Sequence, residues 1–224
     1  MFENLKEDYR ASARREPTLW RIVYRFLQDS GFRAVCFYRI GRWCRRRRIP
    51  LGAQIAERLM HHLCHCWIST LAELGPGFRI AHVCGIIVPP GVVFGSWCEI
   101  RQNVTIGGNL GKKAPDGRGV PILGDRVSIG PGAAVLGPIE IGDDTFIGAN
   151  AVVTTSIPPN SIVAAFRAEV VARRDADGRP VRDGRRVFLS RRELFERIEA
   201  LERRVAELES RQGGERTEAR DAAS

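Results

Sequence analysis

His82 stands in the segment Ala81-His82-Val83-Cys84-Gly85, between two aliphatic runs. A neutral imidazole in such a turn can take the proton of a hydroxyl as that hydroxyl attacks an acyl carbonyl, the work of a general base near neutral pH. Cys84 offers a thiol nucleophile as the rival, with His82 as its one evident basic partner. Gly107-Gly108, followed by Lys112, offers backbone N–H groups for an oxyanion or a phosphate. The Gly-Lys-Ser/Thr ending of a nucleotide phosphate loop is missing there. His61, His62, Cys64, His65 and Cys66 crowd six positions. They are of metal-ligand type, but the second ligand pair that zinc spacing requires is missing, and on a helix they spread around all faces. No metal site is expected.

The elements that must position these residues show in a short repeat. An aliphatic residue returns every six positions at Leu123, Ile129, Val135, Ile141, Ile147 and Val153, and Gly124, Gly130, Gly142 and Gly148 follow four of them. Upstream, Ile68, Leu74 and Ile80 share one register, and Val88, Phe94, Ile100 and Ile106 share another, displaced by two residues around His82–Gly85. A period of six is neither helical nor simple strand alternation. It predicts a mainly β protein, a parallel β-helix with triangular coils and one hexad per face. The aliphatic side chain points inward and the glycine is expected to ease the corner. Residues 68–109 and 121–162 hold about fourteen hexads, or roughly five coils. Residues 107–120 break the repeat and predict one outer loop of the kind found on binding faces.

Residues 1–66 read as an α-helical region, with Gly31 and the Pro50–Gly52 segment as breaks. The β-helix is expected over 67–165, a charged hairpin over 166–189, a short coiled-coil helix over 190–212 and a frayed tail over 213–224. The helix opens on the capping box Ser190–Glu193, and its seam runs Leu194, Ile198, Leu201, Val205, Leu208. That seam suits an assembled oligomer or packing against its own domain. The 224 residues carry a net charge of +9, and residues 1–50 alone hold 13 Lys/Arg against 5 acids. The run Arg45–Arg48 suits a solvated helix end, whose cations favour the dipole, or contact with an anionic membrane surface. A nucleic-acid partner is not expected, since no basic module interleaved with aromatics is present. A charged N-terminus, six scattered Cys and no long apolar run predict a reducing, cytoplasmic setting.

Three segments carry a family resemblance: Tyr38-Arg39-Ile40-Gly41-Arg42-Trp43, the turn His82 to Val88, and Val104-Thr105-Ile106-Gly107-Gly108 with Lys112. Together they resemble the serine acetyltransferases among the left-handed β-helix, hexapeptide-repeat acyltransferases, including the related O-acetyltransferases of bacterial polysaccharide clusters. The resemblance implies a left-handed coil, a homotrimer, and acetyl transfer from acetyl-CoA to a hydroxyl with the donor lying between adjacent prisms. It implies His82 as catalytic base, Gly107, Gly108, Lys112, Gly132 and Ala149 around the donor, and Arg118 near the acceptor.

The chain departs from that pattern at the acceptor side. Ala81 stands where the family keeps an acid before its His, and Trp67 where an Asp orients the imidazole. Gly119-Val120 stand where an Arg-His pair grips the serine carboxylate, with Arg118 displaced beside them. Each charged hydrogen bond lost is worth roughly 1.5–3 kcal/mol. The expectation is therefore a saccharide acceptor, with true serine acetylation as the alternative and an inactive trimeric scaffold or a lipid-binding protein as readings of other classes. Glu73, Asp116 or a backbone carbonyl is left to orient His82.

Overall fold

The computed structural model describes residues 2–165 and, beyond them, the backbone of two short strands, Arg173–Arg174 and Pro180–Val181, which pair antiparallel. The expected coiled-coil helix and tail lie outside the described residues. Four helices come first: α1 (Phe2–Ala13), α2 (Leu19–Gln28), α3 (Ser30–Arg46) and α4 (Gly52–Cys64). Fourteen short parallel strands then wind through five coils. They are β1 (Trp67–Ile68), β2 (Glu73–Leu74) and β3 (Arg79–Ile80); β4 (Ile87–Val88), β5 (Val93–Phe94) and β6 (Glu99–Ile100); β7 (Thr105–Gly107), β8 (Ile122–Leu123) and β9 (Ser128–Ile129); β10 (Ala134–Leu136), β11 (Glu140–Ile141) and β12 (Phe146–Ile147); and β13 (Val152–Val153) and β14 (Ile162–Val163). A bridge from Ile157 to Ile141 fills the remaining position.

Every third strand stacks, giving three parallel sheets. Face A is β1-β4-β7-β10-β13, face B is β2-β5-β8-β11 and face C is β3-β6-β9-β12-β14. This is the left-handed parallel β-helix. The second residue of nearly every strand points inward and is buried, from Ile68 to Val153. A second buried column lies two residues earlier in the repeat: Cys66, Ala72, Phe78, Ile86, Val92, Cys98, Val104, Val127, Ala133, Ile139 and Ala151. Two inward residues per hexad fill the prism, so the apolar core is continuous along the axis.

The glycines of the repeat do a different job from the one expected. A Cβ on Gly130 would sit 2.7 Å from the Ala149 nitrogen on the next coil, so these glycines admit close stacking of coils. The left-handed backbone at the corners falls largely to other residues. One corner column runs His65, Gly85, Asn103, Gly132, Asn150, and another runs Gly77, Trp97, Arg126, Asp144, Asn160, all with positive φ. After the first residue of each column, every N–H bonds to a carbonyl of the turn below, as Asn103 does to Cys84 at 2.7 Å.

The first coil has no coil beneath it, and the edge of a sheet exposes unpaired carbonyls. Helix α3 satisfies them. The Tyr38 hydroxyl donates to the Ala72 carbonyl at 2.8 Å and accepts the Leu74 N–H at 3.1 Å. Arg39 donates to the Leu74 carbonyl at 2.7 Å and Arg42 to that of Ala72 at 2.8 Å. The Tyr38–Trp43 motif is thus the cap of the solenoid. Gly31 is not a break, as the sequence suggested. Asp29 caps α3 by accepting the Phe32 N–H at 3.0 Å, and Gly31 lies inside the helix where a Cβ would strike the Ile80 carbonyl oxygen.

Candidate active site

The turn holding His82 joins β3 on face C to β4 on face A. Partners Ile129 and Ile147 on adjacent coils lie 18 residues apart, the ordinary coil. Partners Ile80 and Ile100, like Ile68 and Val88, lie 20 apart. The two additional residues are accommodated in the corner segment 81–86, which lifts His82 and Cys84 into solvent while Ile86 stays buried. Gly85 closes the turn. Its φ is +61°, its N–H bonds to the His65 carbonyl at 2.8 Å, and a Cβ there would run into the Asn103 side chain. The register shift seen in the sequence is therefore what presents the imidazole.

Gly132 and Asn150, the latter adjoining Ala149, stand in the same corner column as Gly85, on successive coils above it. With about 4.8 Å per coil, Gly132 lies about 10 Å and Ala149 about 14 Å along the axis from the His82 turn. Gly107 and Gly108 lie on the other edge of face A, where the chain leaves β7 for the loop. The Gly107 carbonyl accepts the Gly137 N–H at 2.9 Å. The loop holds itself together through Lys112 N–H to Asn109 at 2.9 Å and Ala114 N–H to Arg118 at 2.8 Å, with Lys112 and Leu110 exposed. The five donor-site candidates thus fall on the two edges of one face, with His82 at the lower end of one of them.

Arg118 is placed differently. It belongs to the loop between faces A and B, a different prism corner from His82. Its guanidinium is mostly covered, donates to Glu140 at 3.1 Å and lies 3.5 Å from Asp116. Two carboxylates of its own chain pair with it, while its buried Nε and Nη1 make no hydrogen bond. Neither acid suggested as a partner for His82 serves that role. Glu73 projects from face B and pairs with Arg42 at 2.7 Å, and Asp116 is held by Arg118. Trp67 does lie one coil below the His82 turn, paired in register with Ile87 on face A.

A groove of about 760 Å³ opens between α4 and the start of face A, lined by His61, His62, His65, Trp67, Gly85 and Ile87 among others. His61 and His62 meet edge to face at 5.4 Å. Among the described residues no three His, Cys, Asp or Glu side chains converge on a metal position. Cys84 is exposed and the other five Cys are buried. Burial pushes the thiols of Cys36, Cys66 and Cys98 up to about 12.

One feature escaped the sequence reading. The outward residues of face A are Trp67, Ile87, Thr105, Ala134 and Val152, without a charge. Face B shows Glu73 and Glu140, and face C shows Arg79 and Glu99. The signal lay in the residue before each inward aliphatic, read in every third hexad.

The family model for the bacterial transferase hexapeptide (six repeats) matches residues 121–155. The chain is 33% identical over 173 residues to a serine acetyltransferase of Synechococcus elongatus, covering 77% of this chain and 70% of that one. It is equally identical, over the same share of its length, to a serine acetyltransferase of Mycobacterium tuberculosis, of which it spans 74%. Among solved structures, serine acetyltransferase of Neisseria gonorrhoeae in complex with serine superposes with a TM-score of 0.64 at 28% identity, covering 75% of this chain and 68% of that one. Serine acetyltransferase isoform 3 of Entamoeba histolytica, in complex with cysteine, gives 0.64 at 26% identity over 77% of this chain, which spans 61% of its length.

Proposed function

Because this chain belongs to the serine acetyltransferase family of acetyl-CoA-dependent O-acetyltransferases, we propose that it transfers the acetyl group of acetyl-CoA to the hydroxyl of L-serine. The observation that carries the acceptor is the match to relatives of that name over about three quarters of the chain, one of them seen with serine bound.

His82 takes the hydroxyl proton as the oxygen attacks the thioester carbonyl. The tetrahedral oxyanion is met by backbone N–H groups of the glycine-bearing edges of face A. Collapse breaks the C–S bond, and the imidazolium returns its proton to the departing thiolate. Gly132 and Ala149 line the corner above His82, so an elongated donor laid along that corner brings its thioester end to the imidazole. Lys112, at the opposite edge of face A, reaches the phosphates of the donor held against a neighbouring copy. The uncharged outer side of face A suits burial against a neighbouring copy, which supports a trimer with each site between two prisms.

A second reading, a saccharide acceptor, is favoured by one specific arrangement. Arg118 is engaged by Glu140 and Asp116, and Trp67 and Ala81 carry no charge, so the ionic groups of a zwitterion would lose water without compensation. The experiment is kcat/KM for L-serine and for sugar acceptors at fixed acetyl-CoA, with wild type and His82→Ala. The proposal expects saturation by serine within the usual enzyme KM range, up to about 1 mM. It also expects the variant's kcat to fall by about 10² or more. Turnover with sugars alone would establish the second reading, and unaltered turnover in the variant would remove His82 from the chemistry.

A further inference from the structure

Helix α2 buries little of its apolar surface. Its one inward edge is Ile22 and Phe26, with the Phe26 ring set against Phe37 of α3 at 5.6 Å. The rest of its apolar side faces solvent: Leu19 is 81% exposed, Trp20 75% and Leu27 67%, with Val23 and Tyr24 between them. At 100° per residue these five side chains span an arc of about 140°. A helix in a folded domain normally turns such an arc inward.

The cations around this arc say what it meets. A cleft of about 490 Å³ beside the helix brings Arg15 and Arg21 together with Trp20 and Tyr24. Arg15 and Arg21 are exposed, and Arg21 donates to the Glu16 carbonyl at 3.2 Å, which holds it at this end of the helix. Tryptophan and tyrosine beside arginine, at the rim of an apolar arc, match the layered chemistry of a lipid headgroup region, with phosphates outside and acyl chains within. Residues 1–50 add a net +8, while the prism over 68–165 holds 6 basic and 7 acidic residues, so the attraction is stronger at the helical end than at the prism.

We propose that α2 docks this protein on an anionic lipid surface, with Leu19, Trp20, Val23, Tyr24 and Leu27 entering the headgroup–acyl boundary and Arg15 and Arg21 on the phosphates. This contact is independent of which acceptor the enzyme uses. No described helix is long and apolar enough to cross a membrane, so the association is interfacial and reversible by salt.

The test is flotation of the full chain with vesicles of phosphatidylglycerol and phosphatidylcholine, and with pure phosphatidylcholine, at low and high salt. Light scattering and acetyl-CoA turnover are followed in parallel. The wild type should float with the anionic vesicles only and release at high salt. Each cation near such a surface is worth roughly fivefold in partition, so the Arg15→Glu/Arg21→Glu variant should lose well over tenfold. Trp20→Glu/Leu27→Glu should abolish flotation while keeping turnover, since these side chains are exposed. Failure of the wild type to float, or equal flotation of the variants, overturns the proposal. So does a fall in the number of associated chains in Trp20→Glu/Leu27→Glu without a change in vesicle binding, which would make this face a contact between copies.

Discussion

The carboxylate of Asp8 on α1 and the guanidinium of Arg39 on α3 meet in a buried two-point ion pair, at 2.8 and 2.9 Å. The same Asp8 accepts the Phe78 N–H at 2.9 Å, and the same Arg39 donates to the Leu74 carbonyl at 2.7 Å. Two residues 31 positions apart in sequence therefore tie the first helix, the third helix and the first coil into one joint. Removing one partner leaves the other buried and unpaired, so Asp8→Ala should cost about 3–5 kcal/mol. Replacing both, as Asp8→Leu with Arg39→Met, should recover much of that. Urea unfolding at neutral pH measures both, and a single-variant loss under about 0.5 kcal/mol, the range of a surface change, would mean the joint is dispensable.

The uncharged side of face A gives the assembly a direct check. Val152 is outward and 68% exposed in the single chain. Val152→Arg puts a charge on the proposed contact without touching the core. Light scattering should show the mass falling to that of one chain, with far-ultraviolet circular dichroism unchanged and acetyl transfer lost. A mass still equal to three chains would place the contact on another face.

Thiol chemistry separates Cys84 from the rest. Cys36, Cys66 and Cys98 are buried, and their thiols, pushed up to about 12, hold almost no thiolate at pH 8. Cys44 and Cys64 are buried as well. Ellman's reagent should find one fast thiol in the native protein and the remaining five after unfolding. Cys84→Ser should remove the fast one. If Cys84 is only a neighbour of the base, that variant keeps acetyl transfer within about threefold, well inside the 10²–10⁴ that acid–base groups contribute. A collapse of activity would reopen its role as nucleophile.

How far the sequence reached is clearest at His82. The period of six is a local property: each hexad buries its own aliphatic, so one pass along the chain shows the prism, its interruption at 107–120 and the two-residue displacement that lifts His82 out. Those features depend on spacing alone and needed no knowledge of distant partners. The uncharged outer side of face A was also written in the sequence, but only for a reader who takes every third hexad together. The five stacked positions of that face are brought together by the winding.

Other properties were decided by the tertiary structure. Arg118 reads as a free cation near an acceptor until Glu140, 22 residues on, comes under it by coil stacking. Glu73 reads as a candidate partner for the imidazole until Arg42 claims it from α3. Gly31 reads as a helix break until the Ile80 carbonyl of the first coil approaches it. The physical reason is the same in each case. Short-range periodicity sets which side chains point in or out, whereas a charge or a missing Cβ takes its meaning from whatever lies across a contact, and those contacts join positions that sequence spacing does not relate.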